Sequence, residues 1–174
     1  FFSCLSFFLA FLCHMGLLKG LDPLLTADLL YVLRSMGHGD MICLCDCNFP
    51  ATEVATKTTT GKLVQLAGAD LVQGLDAVCS VLPLDFFVES AAGHMVPSPG
   101  NELPALGKVV HDLGNEVIHK HCPGMVIQHI ERHAFYAAAR KCFAVVQCSG
   151  ERRPYGNWIL TKGVVGPDGN DLKP

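Results

Sequence analysis

The chain has 174 residues, of which 50% are hydrophobic, and a formal net charge of −3 at pH 7. This length fits one domain, and the apolar content is sufficient for a hydrophobic core. The slightly acidic balance excludes the basic surface that nucleic-acid binding requires, and no run of like charges indicates a disordered arm. The composition therefore favours a globular domain. It is compatible with binding of a small neutral ligand but does not by itself indicate one.

An apolar, uncharged segment of 13 residues, Phe1 to Cys13, opens the chain. It is shorter than the roughly 20 residues that span a membrane, and it lacks the positive start and clear cleavage site of a signal peptide. A targeting segment is the alternative, but we expect residues 1–14 to be an extension outside the domain. The domain is predicted over residues 15–166, and residues 167–174 are predicted to form a flexible tail.

Helical and strand patterns then alternate along the chain. Thr26 is a predicted N-cap, the apolar spacing after it predicts a helix, and Gly37 is expected to end that helix in a left-handed conformation. Further helices are predicted over 69–82, 108–121 and 133–143, strands in MICLCD and MVIQHI, a strand or loop over 58–66 and a loop over 98–106. FAVVQC and WILTKGVV are two more strands, which we expect to form a hairpin-like unit. This alternation predicts a layered α/β domain.

The cysteines give no regular disulfide framework, and their number, nine, is odd. Cys43, Cys45 and Cys47 alternate along a predicted strand, so we expect them to share one face and not to pair with each other. Reduced core thiols in a cytoplasmic protein are the better interpretation. The HKHC sequence that ends at Cys122 could suggest zinc, but the paired ligand spacing of structural zinc sites is missing, and no metal site is predicted.

Three side chains near element ends are candidates for chemistry. His38 lies between two glycines that leave its imidazole uncrowded, although a histidine near a helix C-terminus is also favoured by the helix dipole. Asp46 ends a buried strand, where ligands often bind in α/β sheets, or else it caps the next turn. Asp85 follows a Leu-Pro-Leu run, and an isolated aspartate there is more often structural.

Two further groups could contact a polar ligand. Arg132 and Tyr136 are four residues apart on a predicted helix and share a face, as a sugar-binding surface or as a solvated arginine over an aromatic ring. Tyr155, Gly156 and Asn157 combine a phenol, an unhindered backbone and an amide, which suits a polyhydroxylated ligand, although such residues also form ordinary turns. No G-x-S-x-G, P-loop or G-x-G-x-x-G motif occurs, so nucleotide and serine-hydrolase functions have no support.

Five segments in order resemble the fucose mutarotase and ribose pyranase family: PLLTADLLYVLRSMGHGD, DCNFPA, LPLDFFVES, ERHAFYAAARKCFAVV and GERRPYGNWILTKG. LPLDFFVES and ERHAFY are similar to the fucose-type branch and, within it, to the animal members. The resemblance implies a ribose-pyranase-like α/β/α domain with a mixed β-sheet flanked by helices. It also implies a homo-oligomer, for which a ring is one arrangement, with the site near a subunit interface. His133 departs from the family, which usually has Phe there.

The resemblance also implies roles for individual residues. His38 matches the general acid, and Asp85 and Tyr155 match additional acid/base groups. The implied substrate-binding residues are Asp46, Met95, Arg132, Tyr136, Gly156 and Asn157. Acid/base groups alone can open and reclose a sugar ring, so no cofactor is expected, and neither is a nucleic-acid or membrane partner.

The activity that the resemblance implies is interconversion of the α and β anomers of L-fucose. Two alternatives share much of this pattern. One is a pyranase or mutarotase that acts mainly on D-ribose or another free monosaccharide, and the other is a non-catalytic sugar-binding subunit.

Overall fold

A mixed six-stranded sheet organises the computed structural model, which describes residues 16–174. The predicted extension over residues 1–14 and Met15 lie outside the described residues. The helices and strands follow in the order α1 (Ala27–Ser35), β1 (Met41–Cys45), α2 (Ala51–Ala55), β2 (Leu63–Leu66), α3 (Leu71–Cys79), β3 (Ala92–Val96), α4 (Ala105–His121), β4 (Ile127–Glu131), α5 (Arg132–Ala139), β5 (Ala144–Cys148) and β6 (Trp158–Thr161). Within residues 16–174, none of the helices has the length and apolar character needed to cross a bilayer.

Strand direction decides which segments meet at each edge of the sheet. The strand order is β2-β5-β1-β6-β3-β4, with β6 antiparallel to β1 and β3 and the other pairs parallel. The ends of β1, β3 and β4 therefore lie at the same edge as the start of β6. The start of β1 and the end of β6 lie together at the opposite edge.

Helices cover both faces of the sheet, which confirms the predicted α/β/α layering. Ile42 and Leu44 of β1 pack on the face of α1, α3 and α4, whereas Cys43 and Cys45 pack on the face of α2 and α5. This division follows from the two-residue period of a strand, in which successive side chains point to opposite faces. Cys47 is exposed because β1 ends at Cys45, so the predicted triplet on one face was wrong at its last member.

The start of α1 agrees with the prediction, but its end does not. Thr26 Oγ1 accepts a hydrogen bond from the Leu29 amide at 3.2 Å, which confirms the N-cap. The helix ends at Ser35, and Gly39 rather than Gly37 has the positive φ, at 84°. The Gly37 amide instead donates to Asp40 Oδ2 at 2.7 Å, which closes a turn and moves the left-handed residue to Gly39.

The hairpin-like prediction for the last two strands was wrong. β5 and β6 both pair with β1, which lies between them, and Leu44 is opposite Trp158 in the antiparallel pair. The intervening link, residues 149–157, passes over the end of β1 instead of turning back tightly. β3 was not predicted, because Gly93 and His94 interrupt the apolar pattern that marks a strand.

The other predicted elements are present with altered bounds. The helix expected over 69–82 is α3, which is shorter, and the helix expected over 133–143 is α5, which ends at Ala139. At the end of the chain, Gly166 donates to the Asn170 carbonyl at 2.7 Å, and Val165 forms a β-bridge with Asp171. The mobility of residues 167–174 stays a prediction.

Candidate active site

A cavity of about 230 Å³ opens at the edge of the sheet where β1, β3 and β4 end and β6 begins. Its volume is below the roughly 300 Å³ at which sites for drug-sized ligands begin, as suits a small ligand. The lining residues are Asp46, Asn48, Phe49, Met95, Arg132, Tyr136, Pro154, Tyr155 and Asn157. All the predicted substrate-binding residues except Gly156 thus line one cavity, together with the predicted catalytic Tyr155.

Asp46 and Asn157 form the buried polar part of this cavity. Asn157 Nδ2 donates to Asp46 Oδ2 at 2.9 Å, and the Asp46 amide donates back to Asn157 Oδ1 at 3.1 Å. Asp46 Oδ1 also accepts from the amides of Asn48 and Phe49 at 2.9 and 3.0 Å. The aspartate therefore caps the turn after β1 and also lines the cavity, while its role in binding a ligand stays a prediction.

The environment of Asp46 alters its acidity. Burial raises the pKa of this carboxyl, while the hydrogen bonds from Asn48, Asn157 and Phe49 lower it, and the net direction is upward. Burial dominates because it removes water from the charged form, and the surrounding donors replace only part of that solvation.

The turn from Tyr155 to Asn157 has a strained backbone. Tyr155 has φ 64°, and it is the one non-glycine residue with positive φ among residues 16–174. Gly156 is buried and does not line the cavity. A Cβ at Gly156 would lie 2.9 Å from Glu151 Cγ and 3.5 Å from Asp46 Cβ. Gly156 therefore allows the turn to approach Asp46 closely and offers no side-chain contact to a ligand.

Aromatic and apolar side chains form the wall of the cavity. The Tyr136 ring stacks on Phe49 with a centroid distance of 5.4 Å, and the Arg132 guanidinium lies 5.8 Å from the Tyr136 centroid. Hydrogen bonding to Tyr136 raises the pKa of the exposed Arg132 further, so this group stays cationic. Met95 is buried, with Sδ 3.9 Å from Asn157 Nδ2. A wall of apolar rings with a few convergent polar groups suits a ligand that has both apolar and hydroxyl-bearing sides.

The other predicted acid/base residues lie at the opposite edge of the sheet. His38 Nε2 is 3.0 Å from Asp85 Oδ2, and Asp85 Oδ1 accepts from the Phe87 amide at 2.9 Å. The Asp85 side chain is buried, whereas 50% of the His38 side chain is exposed. Asp85 can therefore orient the imidazole, which stays accessible from outside. A separate cavity of about 410 Å³ lies beside His38.

The length of β1 separates these two groups within one chain. His38 precedes β1 and Asp46 follows it, and a strand rises about 3.3 Å per residue, so the two edges are about 15 Å or more apart. One chain therefore brings Tyr155 together with the binding residues, and it pairs His38 with Asp85, but it does not join the two sets.

The zinc alternative has no support in the side-chain arrangement. His121 Nε2 lies 2.6 Å from Asp76 Oδ1, and His119 Nε2 lies 3.1 Å from the Met125 carbonyl. Over residues 16–174, no three His, Cys, Asp or Glu side chains are placed to hold one metal ion.

Two residues that support the turn were not singled out from the sequence. Glu151 is buried and accepts hydrogen bonds from the Leu71 amide and from Arg153, which fixes the chain just before the turn. His111 of α4 lies 3.0 Å through Nε2 from the Tyr155 carbonyl. Glu151 is part of the GERRPYGN motif, which could have drawn attention to it, whereas the sequence around His111 carries no such signal.

Comparison with known proteins places this geometry in a family context. A family model described as "RbsD / FucU transport protein family" matches residues 19–165. The fucose mutarotase of Homo sapiens is 40% identical over 152 residues, covering 87% of this chain and 96% of that protein. The fucose mutarotase of Danio rerio is 38% identical over 154 residues, covering 88% of this chain and 98% of that protein.

Solved structures are similar in the same region. The fucose mutarotase in complex with L-fucose from Streptococcus pneumoniae has a TM-score of 0.74 and 33% identity, covering 86% of this chain and 100% of that chain. Bacillus subtilis RbsD complexed with D-ribose has a TM-score of 0.62 and 18% identity, with coverage of 86% and 100%. At that identity, the second similarity establishes a common fold and nothing more.

Proposed function

Because the chain belongs to the RbsD / FucU family, we propose that it interconverts the α and β anomers of free L-fucose. It is then an isomerase that opens and recloses a sugar ring. The observation that carries this function is the convergence of Asp46, Arg132, Tyr155 and Asn157 on one small cavity. Relatives named fucose mutarotase match nearly the whole domain, which supports L-fucose over D-ribose.

Ring opening requires two coupled proton transfers. A base takes the proton of the anomeric hydroxyl, an acid protonates the ring oxygen, and the bond between the anomeric carbon and that oxygen breaks. The open aldehyde rotates about its bond to the rest of the sugar, and the same groups reverse their roles to close the ring. Each positioned proton-transfer group contributes on the order of 10²–10⁴-fold to the rate.

The geometry favours a division of these roles. The position of Tyr155 in the cavity supports a role for its phenol in moving the proton of the anomeric hydroxyl. The cationic Arg132 lines the same cavity and would favour negative charge that develops on the phenol oxygen. His38 protonates the ring oxygen, since imidazole exchanges protons readily near neutral pH. Asp85 holds His38 through its 3.0 Å contact. Asp46, Arg132 and Asn157 bind sugar hydroxyls.

The site also requires a neighbouring copy of the chain. The two sets of acid/base residues lie at opposite edges of one sheet, so a single chain cannot place both on one sugar. We therefore propose a homo-oligomer in which the half-exposed His38 of one subunit reaches the cavity of the next. Contacts of this kind repeat head to tail and close into a ring when the rotation between subunits permits it.

We also propose a cytoplasmic location. The cysteines of the described residues are free thiols, and most of them are buried. Burial raises the pKa of the Cys122 thiol to about 11 and that of Cys142 to about 12, so these thiols stay protonated and unreactive. Unpaired buried thiols are typical of proteins kept in a reducing compartment.

The proposal is tested by saturation-transfer NMR between the anomers of L-fucose, with D-ribose measured in parallel. We expect transfer with the wild-type protein, and a loss on the order of 10²–10⁴-fold in His38→Ala with fucose binding retained. His119→Ala is the matched histidine control and should exchange normally, since His119 Nε2 lies 3.1 Å from the Met125 carbonyl and its side chain does not line the cavity.

Each other result has a definite meaning. Unchanged exchange in His38→Ala would remove the mechanism. Exchange of ribose without fucose would assign the pyranase activity, and fucose binding without any exchange would indicate a sugar-binding subunit.

A further inference from the structure

The Tyr155 carbonyl is held from behind the cavity by a histidine of α4. His111 Nε2 lies 3.0 Å from this oxygen, and the Asn157 amide donates to the same oxygen at 2.9 Å. The Asn157 carbonyl in turn accepts a hydrogen bond from the Met95 amide of β3 at 3.0 Å. One backbone turn thus links α4, which lies behind the cavity, to Met95 of β3, and both the turn and Met95 line the cavity.

The face of α4 that carries His111 is shaped to fit this turn. Gly107, His111 and Gly114 are spaced at four and three residues, so they lie on one side of the helix. A Cβ at Gly107 would lie 3.1 Å from the Pro154 carbonyl, and a Cβ at Gly114 would lie 2.6 Å from the Trp158 ring. The absence of side chains on either side of His111 allows the helix to lie flush against residues 154–158.

The His111 ring is itself fixed by packing. It lies against the buried His94 ring with a centroid distance of 3.8 Å, and His94 also contacts His129 and Trp158 at 4.7 and 5.0 Å. Burial lowers the pKa of His111, so the imidazole stays neutral. A neutral imidazole that faces a carbonyl through Nε2 must carry its proton on Nε2, because only then can it donate.

We propose that His111 is a positioning residue for the sugar site: its Nε2–H holds the Tyr155 carbonyl and keeps the turn in its left-handed conformation. The φ of 64° at Tyr155 costs free energy, because the residue has a Cβ. Without the hydrogen bond from His111, this conformation is less strongly stabilised. The Tyr155 phenol and the Asn157 amide would then leave their places in the cavity. The kinetic part of this inference rests on the proposed function, whereas the structural part does not.

The test compares His111→Gln, which keeps an N–H donor, with His111→Leu, which fills similar space without one. For L-fucose exchange, we expect the leucine variant to raise KM about five- to tenfold, the effect of one lost hydrogen bond. The KM of the glutamine variant should stay within about twofold of the wild-type value, because this variant keeps the hydrogen bond. Melting temperatures of both variants are measured alongside. Equal KM values in the two variants would overturn the proposal, since packing alone would then explain them.

A readout without sugar separates this inference from the proposed function. Nitrogen-15 NMR of the ligand-free protein should show His111 protonated on Nε2, and amide exchange at Asn157 and Met95 should accelerate in His111→Leu but not in His111→Gln. The controls are His119→Leu and His119→Gln on the same helix, which should leave both amides unchanged.

The two proposals fail in different ways. An inactive wild type with accelerated Asn157 exchange in His111→Leu would remove the fucose function and keep the positioning role. Unchanged protection of Asn157 in His111→Leu would overturn the positioning role, whatever the activity.

Discussion

At the scale of single residues, Asp46 shows how one side chain combines structure with recognition. Its carboxylate accepts two backbone amides after β1 and the amide of Asn157, which lies far along the chain at the start of β6. Because it is buried, the group depends on these donors for the solvation that water would otherwise provide. Asn157 is therefore both a candidate sugar-binding residue and the hydrogen-bond partner that stabilises Asp46.

Replacing Asn157 by Asp would place a second carboxyl about 2.9 Å from Asp46 Oδ2. Repulsion raises the folded-state pKa of the pair above the unfolded value, so the variant is most stable at low pH, where the two carboxyls share a proton. As the pH rises through the folded-state pKa, that stability is lost, and each unit of pKa difference corresponds to about 1.4 kcal/mol. Urea unfolding between pH 5 and 8 should show this decline relative to wild type.

Asn157→Leu is the matched control for this change. Like Asn157→Asp it removes the Nδ2 donor to Asp46, and it also removes the Oδ1 acceptor of the Asp46 amide, but it adds no charge. We expect a cost of about 1–3 kcal/mol and a stability that falls less steeply with pH. Equal slopes in the two variants would show that the carboxyls do not interact.

At the scale of elements, α4 contacts both α3 and the turn that carries Tyr155. Lys120 Nζ and His121 Nε2 of α4 lie 2.8 and 2.6 Å from Asp76 Oδ1 of α3. At the other end of α4, Gly107 and His111 contact the turn that carries Tyr155. The helix thus connects a surface ion pair to the base of the cavity.

Asp76→Asn should weaken this helix pair in a pH-dependent way. Hydrogen bonding to Lys120 and His121 lowers the pKa of Asp76, so the ionised group stabilises the fold above its unfolded pKa and loses that effect as the pH falls through the folded value. Because the pair is largely exposed, we expect a loss of about 0.2–1 kcal/mol at pH 7 in urea unfolding.

This difference between wild type and Asp76→Asn should vanish in acid, and 1 M salt at pH 7 should shrink it by screening. A difference that persists unchanged at pH 2–3 would contradict an electrostatic origin.

At the scale of the whole molecule, the distribution of residues over two edges of the sheet predicts shared sites. His38 and Asp85 lie at the edge where β1 begins, whereas Tyr155 and Asn157 lie at the edge where it ends. A sheet is rigid along its strands, so no hinge within the domain can bring these edges together. The proposed chemistry therefore requires at least two subunits.

Subunit mixing tests this arrangement directly. His38→Ala and Tyr155→Phe should each be inactive when purified alone, because every site lacks one group. In co-expressed mixtures, about a quarter of the sites should combine a normal His38 from one chain with a normal Tyr155 from its neighbour, given random head-to-tail assembly. Because only these sites are active, anomer exchange should recover to about a quarter of the wild-type rate per site.

A mixture of Tyr155→Phe with Asn157→Ala provides the control, since both residues lie in the same cavity of one chain. No normal site can form in that mixture. Recovery there, or no recovery in the first mixture, would contradict a site shared between subunits.

By itself, the sequence determined the layered class and most of the element types, although β3 was missed, and it supplied the candidate site residues. Thr26 and the apolar spacing after it act locally, so the start of α1 and the buried strand before Asp46 could be predicted. The motifs around His38 and Tyr155 could be recognised because each is a run of consecutive residues, which can be read without knowing the tertiary structure. The tertiary structure decided the rest, since strand order depends on long-range pairing that leaves no local pattern. It placed β1 between β5 and β6, it brought His111 behind Tyr155, and it separated His38 from the cavity by the length of a strand.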